Sequence, residues 1–250
     1  MSENSKIAFV TGANRGIGYE TALQLAKQNV IVIVGARRAE EAAAAAARIR
    51  EQGFAADSVK FNAEEAQDIN LCVEFISQKY GKLDILVNNA GVLLDEDDAS
   101  VEHTNNTISS TPEMLKKTFE INFFSVVELT QKLLPLLVKS NAGRIVNVSS
   151  ILGSLSLQAD PKGMLYDSKY FCYDTSKTAV NSFTIHLAHA LKETKIKVNS
   201  GHPGWVQTKM GGASAMITAA EGAKTSVSLA LLGEDGPSGK FFHLDSELPW

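Results

Sequence analysis

The stretch KIAFVTGANRGIG, residues 6–18, decides the fold of this chain. Residues 6–11 form a short apolar run, residues 12–18 a glycine-rich turn, and an apolar pattern of helical period follows. Strand, glycine turn and helix are the context of a phosphate-binding loop, because glycines let the backbone approach a pyrophosphate and the free N–H groups of the helix favour its charge. A tight strand-to-helix turn without any ligand is the structural alternative.

The next apolar run, residues 30–34, predicts a strand buried on both faces of a parallel sheet. Arg37 and Arg38 follow it, and no carboxylate occurs before Glu40. In dinucleotide-binding folds an acidic residue near this point binds the ribose 2′-hydroxyl of NAD(H), whereas an arginine accommodates the 2′-phosphate of NADP(H). Arg15 in the glycine turn adds positive charge, so the pattern favours NADP(H). Two solvated arginines at a helix start are the alternative.

Strands and helices alternate along the rest of the chain. Further strands are predicted at residues 56–61, 84–87, 143–150, 195–200 and 240–244, and further helices at 41–52, 64–80, 112–139, from about 173 to 191, and 219–232. Pro135 predicts a kink or an earlier end of its helix. With no linker or repeat, the alternation predicts one doubly wound α/β domain over residues 1–250, with a parallel sheet of about seven strands and helices on both faces.

Composition excludes several classes of protein. Hydrophobic residues make up 44% of the chain and charged residues 21%, as in ordinary globular proteins. The 24 basic and 28 acidic residues give a net charge of −4, so no basic surplus points to nucleic acid or an anionic membrane. The two cysteines are too few for a disulfide framework, and no ligand cluster indicates a metal. Without a membrane-spanning stretch, we expect a cytoplasmic protein.

Tyr173 and Lys177 lie four residues apart at the start of a helical pattern, so their side chains share one helix face. A fixed positive charge near a phenol favours the phenolate and lowers a pKa that is otherwise about 10. The pair is therefore a candidate general acid and base. A purely structural Tyr–Lys pair is the alternative.

Taken together, these features resemble the single-domain branch of the short-chain dehydrogenase/reductase family, and most closely its carbonyl reductases. The resemblance follows the chain through Gly12, Gly16, Gly18, the run Asn88-Asn89-Ala90-Gly91, Asn122, Ser150, Tyr173, Lys177 and the pair Pro203-Gly204. It implies a Rossmann fold and an NADPH-dependent reduction of a ketone or aldehyde to an alcohol, reversible in principle.

The resemblance also implies roles for single residues. Ser150 would hold the substrate carbonyl oxygen, Tyr173 would protonate it, and Lys177 would lower the tyrosine pKa while binding the nicotinamide ribose. Asn122 would anchor a water molecule that links Lys177 to solvent. The implied cofactor set is Gly12, Asn14, Arg15, Gly16, Ile17, Gly18, Arg37, Arg38, Asn62, Asn89, Ala90, Gly91, Tyr173, Lys177, Pro203, Gly204, Val206 and Thr208.

Three features depart from the family pattern. Asn62 stands where the family usually has an aspartate that contacts the adenine. The segment 151–171 between Ser150 and Tyr173 is enlarged, which puts the family's usual tetramer in doubt and leaves a homo-oligomer open. Tyr166 and Tyr170 also lie near the motif, but neither has a lysine four positions later.

Segments 93–111, 151–171 and 205–217 would form the pocket for a small carbonyl or alcohol substrate. A non-catalytic NADP(H)-binding sensor or partner protein is the alternative from another class, although it would not need Ser150, Asn122, Tyr173 and Lys177 together. Epimerases that use a Tyr/Lys pair are generally longer than this chain.

Overall fold

A computed structural model describes residues 5–95 and 107–250 of the chain. Its strands are β1 (Ile7–Val10), β2 (Ile31–Ala36), β3 (Ala56–Lys60), β4 (Ile85–Asn88), β5 (Arg144–Val148), β6 (Lys197–Gly201), β7 (Lys240–His243) and β8 (Ser246–Glu247). They form one sheet in the order β3-β2-β1-β4-β5-β6-β7-β8. Neighbouring strands are parallel except for the antiparallel pair β7–β8. The predicted doubly wound α/β fold is confirmed, and β8 is one strand more than expected.

The helices pack on both faces of the sheet. They are α1 (Gly16–Lys27), α2 (Ala39–Glu51), α3 (Ala66–Tyr80), α4 (Pro112–Phe119), α5 (Ser125–Leu137), α6 (Leu155–Ala159), α7 (Phe171–Ala190) and α8 (Ala219–Ala230). In the described part of the chain no helix is both long and apolar enough to cross a membrane.

Alternation along the central strands builds two hydrophobic cores. In β1, Ala8 and Val10 face one core, while Ile7 and Phe9 face the other. Residues of α1, α2 and α8 complete the first core, and residues of α3 and α5 complete the second. Because both faces are covered, the strands are continuous apolar runs rather than alternating ones.

Two stretches differ from the sequence-based expectation. The single helix expected over 112–139 is divided by a π-helical turn at Glu120–Phe124, and it ends at Leu137 with Pro135 still inside α5. The expected irregular segment 151–171 contains a 3₁₀ turn at Ile151–Gly153 as well as α6. Apolar periodicity does not report such local changes, because a π turn inserts one residue without altering composition.

A buried row of polar side chains crosses the sheet beneath the end of β4. Asn88 Nδ2 donates to Asn147 Oδ1 at 2.8 Å, and Asn147 Nδ2 donates to Thr184 Oγ1 at 2.8 Å. Thr184 Oγ1 in turn lies 2.8 Å from Ser200 Oγ. The row holds α7 against β4, β5 and β6. Removing one partner is costly in free energy, because the polar group that remains is buried without a hydrogen bond.

Asn147→Ala should lower the free energy of unfolding by about 2–3 kcal/mol, because it removes two buried hydrogen bonds and leaves a hole at the centre of the sheet. Urea denaturation monitored by circular dichroism measures the change. Asn141→Ala is the matched control, since Asn141 is exposed and its loss should change stability by less than about 0.5 kcal/mol. Equal stability of the two variants would contradict the prediction.

Candidate active site

Two neighbouring strand pairs, β1–β4 and β5–β6, end together at one edge of the sheet. The register pairs Val10 with Val87 and Val148 with Gly201 at these ends. Beyond them lie the glycine turn 12–18, residues 89–91, residues 149–150 and residues 202–208. Motifs that are far apart in sequence therefore meet at the carboxyl edge, where ligands bind in open α/β sheets.

The glycine turn packs directly on the segment that follows β4. A Cβ atom at Gly18 would lie 2.4 Å from Asn89 Nδ2, and one at Gly12 would lie 3.0 Å from Ala90 Cα, where the backbone also has a φ of +64°. Asn89 Nδ2 donates to the carbonyl oxygens of Thr11 and Gly12 at 2.8 and 3.2 Å. Glycine is required here by backbone proximity, so a larger residue would force the two segments apart.

The start of α1 suits an anionic ligand. Arg15 occupies the N-cap without a side-chain capping bond within the described chain, and the first turn, which includes Ile17, contains no acidic residue. Gly16 has a φ of +55° and faces Thr208, whose Cγ2 would lie 3.3 Å from an added Cβ. First-turn N–H groups and the helix dipole favour a phosphate at this point. These features fit the pyrophosphate of a dinucleotide.

Arginines gather at the rim of this cleft. Arg15, Arg37 and Arg38 are exposed, and all three act electrostatically on the Glu41 carboxylate. Asn14 Nδ2 donates to Glu41 Oε2 at 3.1 Å. Guanidinium groups bind phosphate with paired hydrogen bonds, so this cluster fits a 2′-phosphate on the adenosine ribose.

Tyr173, Ser150 and Lys177 come together at the other end of the cleft. The Ser150 side chain lies close enough to Tyr173 to affect the acidity of the phenol. Lys177 Nζ lies 5.5 Å from the centroid of the Tyr173 ring and donates to the Val148 carbonyl at 2.8 Å. The hydroxyl of Ser149 points elsewhere, donating to the Lys177 carbonyl oxygen at 3.5 Å. Of the two serines, only Ser150 therefore shares the site with the phenol.

Burial controls the acidity of this group. It raises the pKa of Tyr173 above its usual value, and Asp174 raises it further, although the nearby Ser150 side chain acts in the opposite direction. Burial also lowers the pKa of Lys177 to about 8. The expectation that Lys177 lowers the Tyr173 pKa is therefore not met in this structure: the cost of burying a phenolate dominates.

Asn122 lies within the π-helical turn, and its amide bonds in two directions. Its Oδ1 accepts from Val92 N at 2.8 Å, and its Nδ2 donates to Val92 O at 2.9 Å and Ser176 Oγ at 3.0 Å. These bonds join the segment after β4 to the helix turn that carries Lys177. A π turn re-aims side chains at functional sites in many proteins, and here it brings the amide to Val92. Its role as a water anchor stays a prediction.

Comparison with known proteins identifies the family. The short chain dehydrogenase model matches residues 6–216. The chain belongs to the short-chain dehydrogenase/reductase family. It is 31% identical to (+)-neomenthol dehydrogenase of Capsicum annuum, over 96% of each chain, and 30% identical to carbonyl reductase (NADPH) 1 of Mus musculus, over 100% of each. A short chain dehydrogenase from Shigella flexneri 2a solved with NADP has a TM-score of 0.82 and 27% identity, covering 97% of this chain and 98% of that one.

The Pro203-Gly204 pair follows β6 at the carboxyl edge of the sheet. Gly204 has a φ of +91°, and Val206, two residues later, is buried and pairs with Ile217. Pro203 precedes them, and the adjoining His202 is buried. Burial, followed by the charge of His243, lowers the pKa of His202 to about 3, so it is neutral at pH 7. His202 Nδ1 accepts from Ile151 N at 3.4 Å, beside Ser150.

Asn62, which replaces the family's usual aspartate, lies just beyond β3. Its Oδ1 accepts from Glu64 N at 3.4 Å, and its own N–H donates to Asp68 at 3.1 Å. The amide is thereby held in the turn that follows β3. Its contact with a nucleotide stays a prediction.

The segments expected to bind substrate present large apolar side chains. Leu155 and Met164 are 64% and 88% exposed in the enlarged segment, and Trp205 and Met216 are 53% and 78% exposed in the segment after β6. Of the expected loop 93–111, residues 96–106 lie outside the described residues. In the described part of the chain no group of three or more His, Cys, Asp or Glu is placed to hold a metal ion.

Asp95 is a site residue that sequence reasoning did not single out. Its two carboxylate oxygens accept from Cys172 N at 2.9 Å and Tyr173 N at 3.1 Å, across a separation of 77 and 78 positions. Both amides belong to the first turn of α7, so Asp95 caps the helix that bears the phenol. The only signal available in the sequence was its position soon after β4, because a cap from a distant residue leaves no signature in the local sequence.

Asp95→Ala should lower the free energy of unfolding by about 1–2 kcal/mol, because two first-turn amides lose their acceptor and the helix dipole loses its counter-charge. Urea denaturation monitored by circular dichroism measures this change in the free energy of unfolding. Asp160→Ala is the control, since among the described residues the Asp160 side chain accepts only a local bond, from Lys162 N in an exposed turn. If Asp95→Ala lowers the free energy of unfolding no more than Asp160→Ala does, the capping role is wrong.

Proposed function

We propose that this short-chain dehydrogenase/reductase is an NADPH-dependent reductase of ketones or aldehydes. The observation that carries the proposal is the position of Tyr173, whose acidity the Ser150 side chain affects and whose ring centroid lies 5.5 Å from Lys177 Nζ. We further propose that residues 1–250 act as one NADP(H)-binding domain.

Each residue has a place in the reaction. The Ser150 and Tyr173 hydroxyls hold the carbonyl oxygen of the substrate, and NADPH, when bound, supplies a hydride to the carbonyl carbon. Negative charge then develops on the oxygen, which is where fixed donors stabilise a transition state best. Tyr173 passes its proton to that oxygen, and the alcohol leaves. The Lys177 ammonium compensates the phenolate that remains.

The raised pKa of Tyr173 agrees with this direction. The phenol keeps its proton at neutral pH, so Tyr173 is ready to act as an acid when the carbonyl oxygen becomes negative. Oxidation of an alcohol requires the phenolate instead, which desolvation disfavours. A catalyst accelerates both directions of the reaction, so the ratio of NADPH to NADP⁺ sets the net flux.

The cofactor assignment has independent support. The glycine turn and the uncapped start of α1 suit a pyrophosphate, and Arg15, Arg37 and Arg38 suit a 2′-phosphate. The mouse relative is named for NADPH, and the Shigella structure was solved with NADP. The apolar side chains around the cleft favour a largely apolar carbonyl compound as substrate.

Tyr173→Phe should reduce kcat by about 10²–10⁴-fold, because the general acid is lost while the ring is retained. The measurement is NADPH absorbance with a panel of apolar ketones and aldehydes. Tyr166→Phe is the matched control, since Tyr166 lies on the enlarged segment, 45% exposed, and should keep nearly full activity.

Two outcomes would count against the assignment. Full turnover by Tyr173→Phe would remove Tyr173 from the chemistry. A wild-type protein that binds NADPH but reduces no carbonyl in the panel would support the non-catalytic sensor instead.

Arg37→Ala should weaken NADPH binding by about 1.5–3 kcal/mol and leave NADH binding unchanged, because a charge-assisted hydrogen bond to the 2′-phosphate is lost. Quenching of protein fluorescence gives both dissociation constants. An equal loss for NADPH and NADH would place Arg37 away from the 2′-phosphate.

A further inference from the structure

The rim of the nucleotide cleft contains an anion among the arginines. Glu41 lies in the first turn of α2, and its side chain is only 31% exposed. Arg38 Nη2 donates to Glu41 Oε1, and Asn14 Nδ2 donates to Glu41 Oε2 at 3.1 Å. The carboxylate therefore takes one donor from the glycine turn and one from the residues after β2.

The neighbouring cations also act on this carboxylate. The hydrogen bond from Arg38 is the main reason why the pKa of Glu41 lies below its usual value, and the charges of Arg15 and Arg37 lower it further. Arg48 Nη2 donates to the Asn14 carbonyl at 2.9 Å, which holds the turn in place from α2. Glu41 therefore interacts with all three arginines of the cluster.

A neighbouring acidic residue lacks these features. Glu40 lies 3.6 Å from Arg38 Nε, and its side chain is 74% exposed. Its Oε1 takes no part in the contact with Asn14, which is specific to Glu41. The two adjacent glutamates on this helix turn therefore differ, because Glu41 lies within the arginine cluster and Glu40 does not.

A 2′-phosphate requires the donors that Glu41 uses. Asn14, Arg15, Arg37 and Arg38 form the expected 2′-phosphate site, and two of them already bond to the carboxylate. A phosphate dianion placed there meets a fixed negative charge a few Å away, which costs binding free energy even at an exposed surface. The ribose 2′-hydroxyl of NAD(H) has the opposite requirement, because it can donate to a carboxylate.

We propose that Glu41 is a specificity-determining residue, an internal anion that competes with the 2′-phosphate for Arg38 and Asn14 and so limits the preference for NADP(H) over NAD(H). The proposal rests on the proposed function, since it concerns the same cofactor site. When NADP(H) binds, Arg38 and Asn14 exchange the carboxylate for the phosphate. When NAD(H) binds, they keep it.

Calorimetric titration of the full chain with NADP⁺ and with NAD⁺ tests the proposal without any turnover. Glu41→Gln keeps the shape of the side chain and removes its charge. It should tighten NADP⁺ binding by about three- to tenfold at low salt and should not tighten NAD⁺ binding. The gain should shrink in 0.5 M salt, because exposed charges are screened.

Glu40→Gln is the matched control, with the same change of charge one residue earlier, and it should alter either constant by less than about twofold. 2′,5′-ADP, which carries the 2′-phosphate without the nicotinamide, should show the same gain with Glu41→Gln as NADP⁺. An unchanged NADP⁺ to NAD⁺ ratio in Glu41→Gln, weaker NADP⁺ binding, or an equal gain in Glu40→Gln would each overturn the proposal.

Failure of the proposed function looks different in the same titration. If the wild-type chain shows no measurable binding of NAD⁺ or NADP⁺, both the reductase assignment and the role of Glu41 are rejected. Normal NADP⁺ binding that is insensitive to Glu41→Gln would reject the role of Glu41 alone.

Discussion

Close packing between the glycine turn and the end of β4 holds the two halves of the cleft together. Asn89 donates to the backbone of the turn at Thr11 and Gly12, and Thr11 Oγ1 accepts in return from the N–H groups of Asn89 and Ala90 at 3.0 Å each. A side chain at Gly18 would enter this contact at 2.4 Å. The glycine turn and the segment after β4 are therefore one unit, built on the neighbouring strands β1 and β4.

The same unit continues to the catalytic end through short steps. A Cβ atom at Gly91 would lie 3.2 Å from Asn122 Oδ1 and 3.6 Å from Lys177 Nζ. Asn122 bonds to Val92 and to Ser176, the residue before Lys177. The position of the ammonium thus depends on backbone that is itself positioned by the glycine turn. In the proposed reaction, nucleotide binding and proton transfer would therefore share one rigid frame, as a hydride transfer over a short distance requires.

Sequence reasoning predicted the fold well because its evidence was local. Continuous apolar runs, a glycine turn and alternating periods specify strands, helices and their order, and the sheet follows from the right-handed crossovers of parallel strands. The choice of Ser150 came from the resemblance to the family, and alternation along an extended chain then directs Ser149 to the other side. In the structure the Ser149 hydroxyl donates to the Lys177 carbonyl oxygen, whereas the Ser150 side chain affects the acidity of Tyr173.

What could not be predicted depends on contacts between distant residues or on burial. The cap that Asp95 provides for α7, and the bond from Asn14 to Glu41, join residues whose proximity exists only after folding. The direction of the Tyr173 pKa was missed for a related reason. Helical spacing revealed the nearby lysine, but it did not report how much water the phenol loses when α7 packs against β5, and desolvation is the larger effect.

Burial also makes the strength of charge interactions differ between the two ends of the cleft. At the catalytic end Lys177 is 5% exposed, so each charge is costly and its position decides the protonation of its neighbours. At the rim Arg38 is 66% exposed, and water and salt weaken every pair. Selectivity at the rim therefore depends on every charge in the cluster and on the salt concentration. In such a setting, a single carboxylate among three arginines can affect which cofactor is preferred.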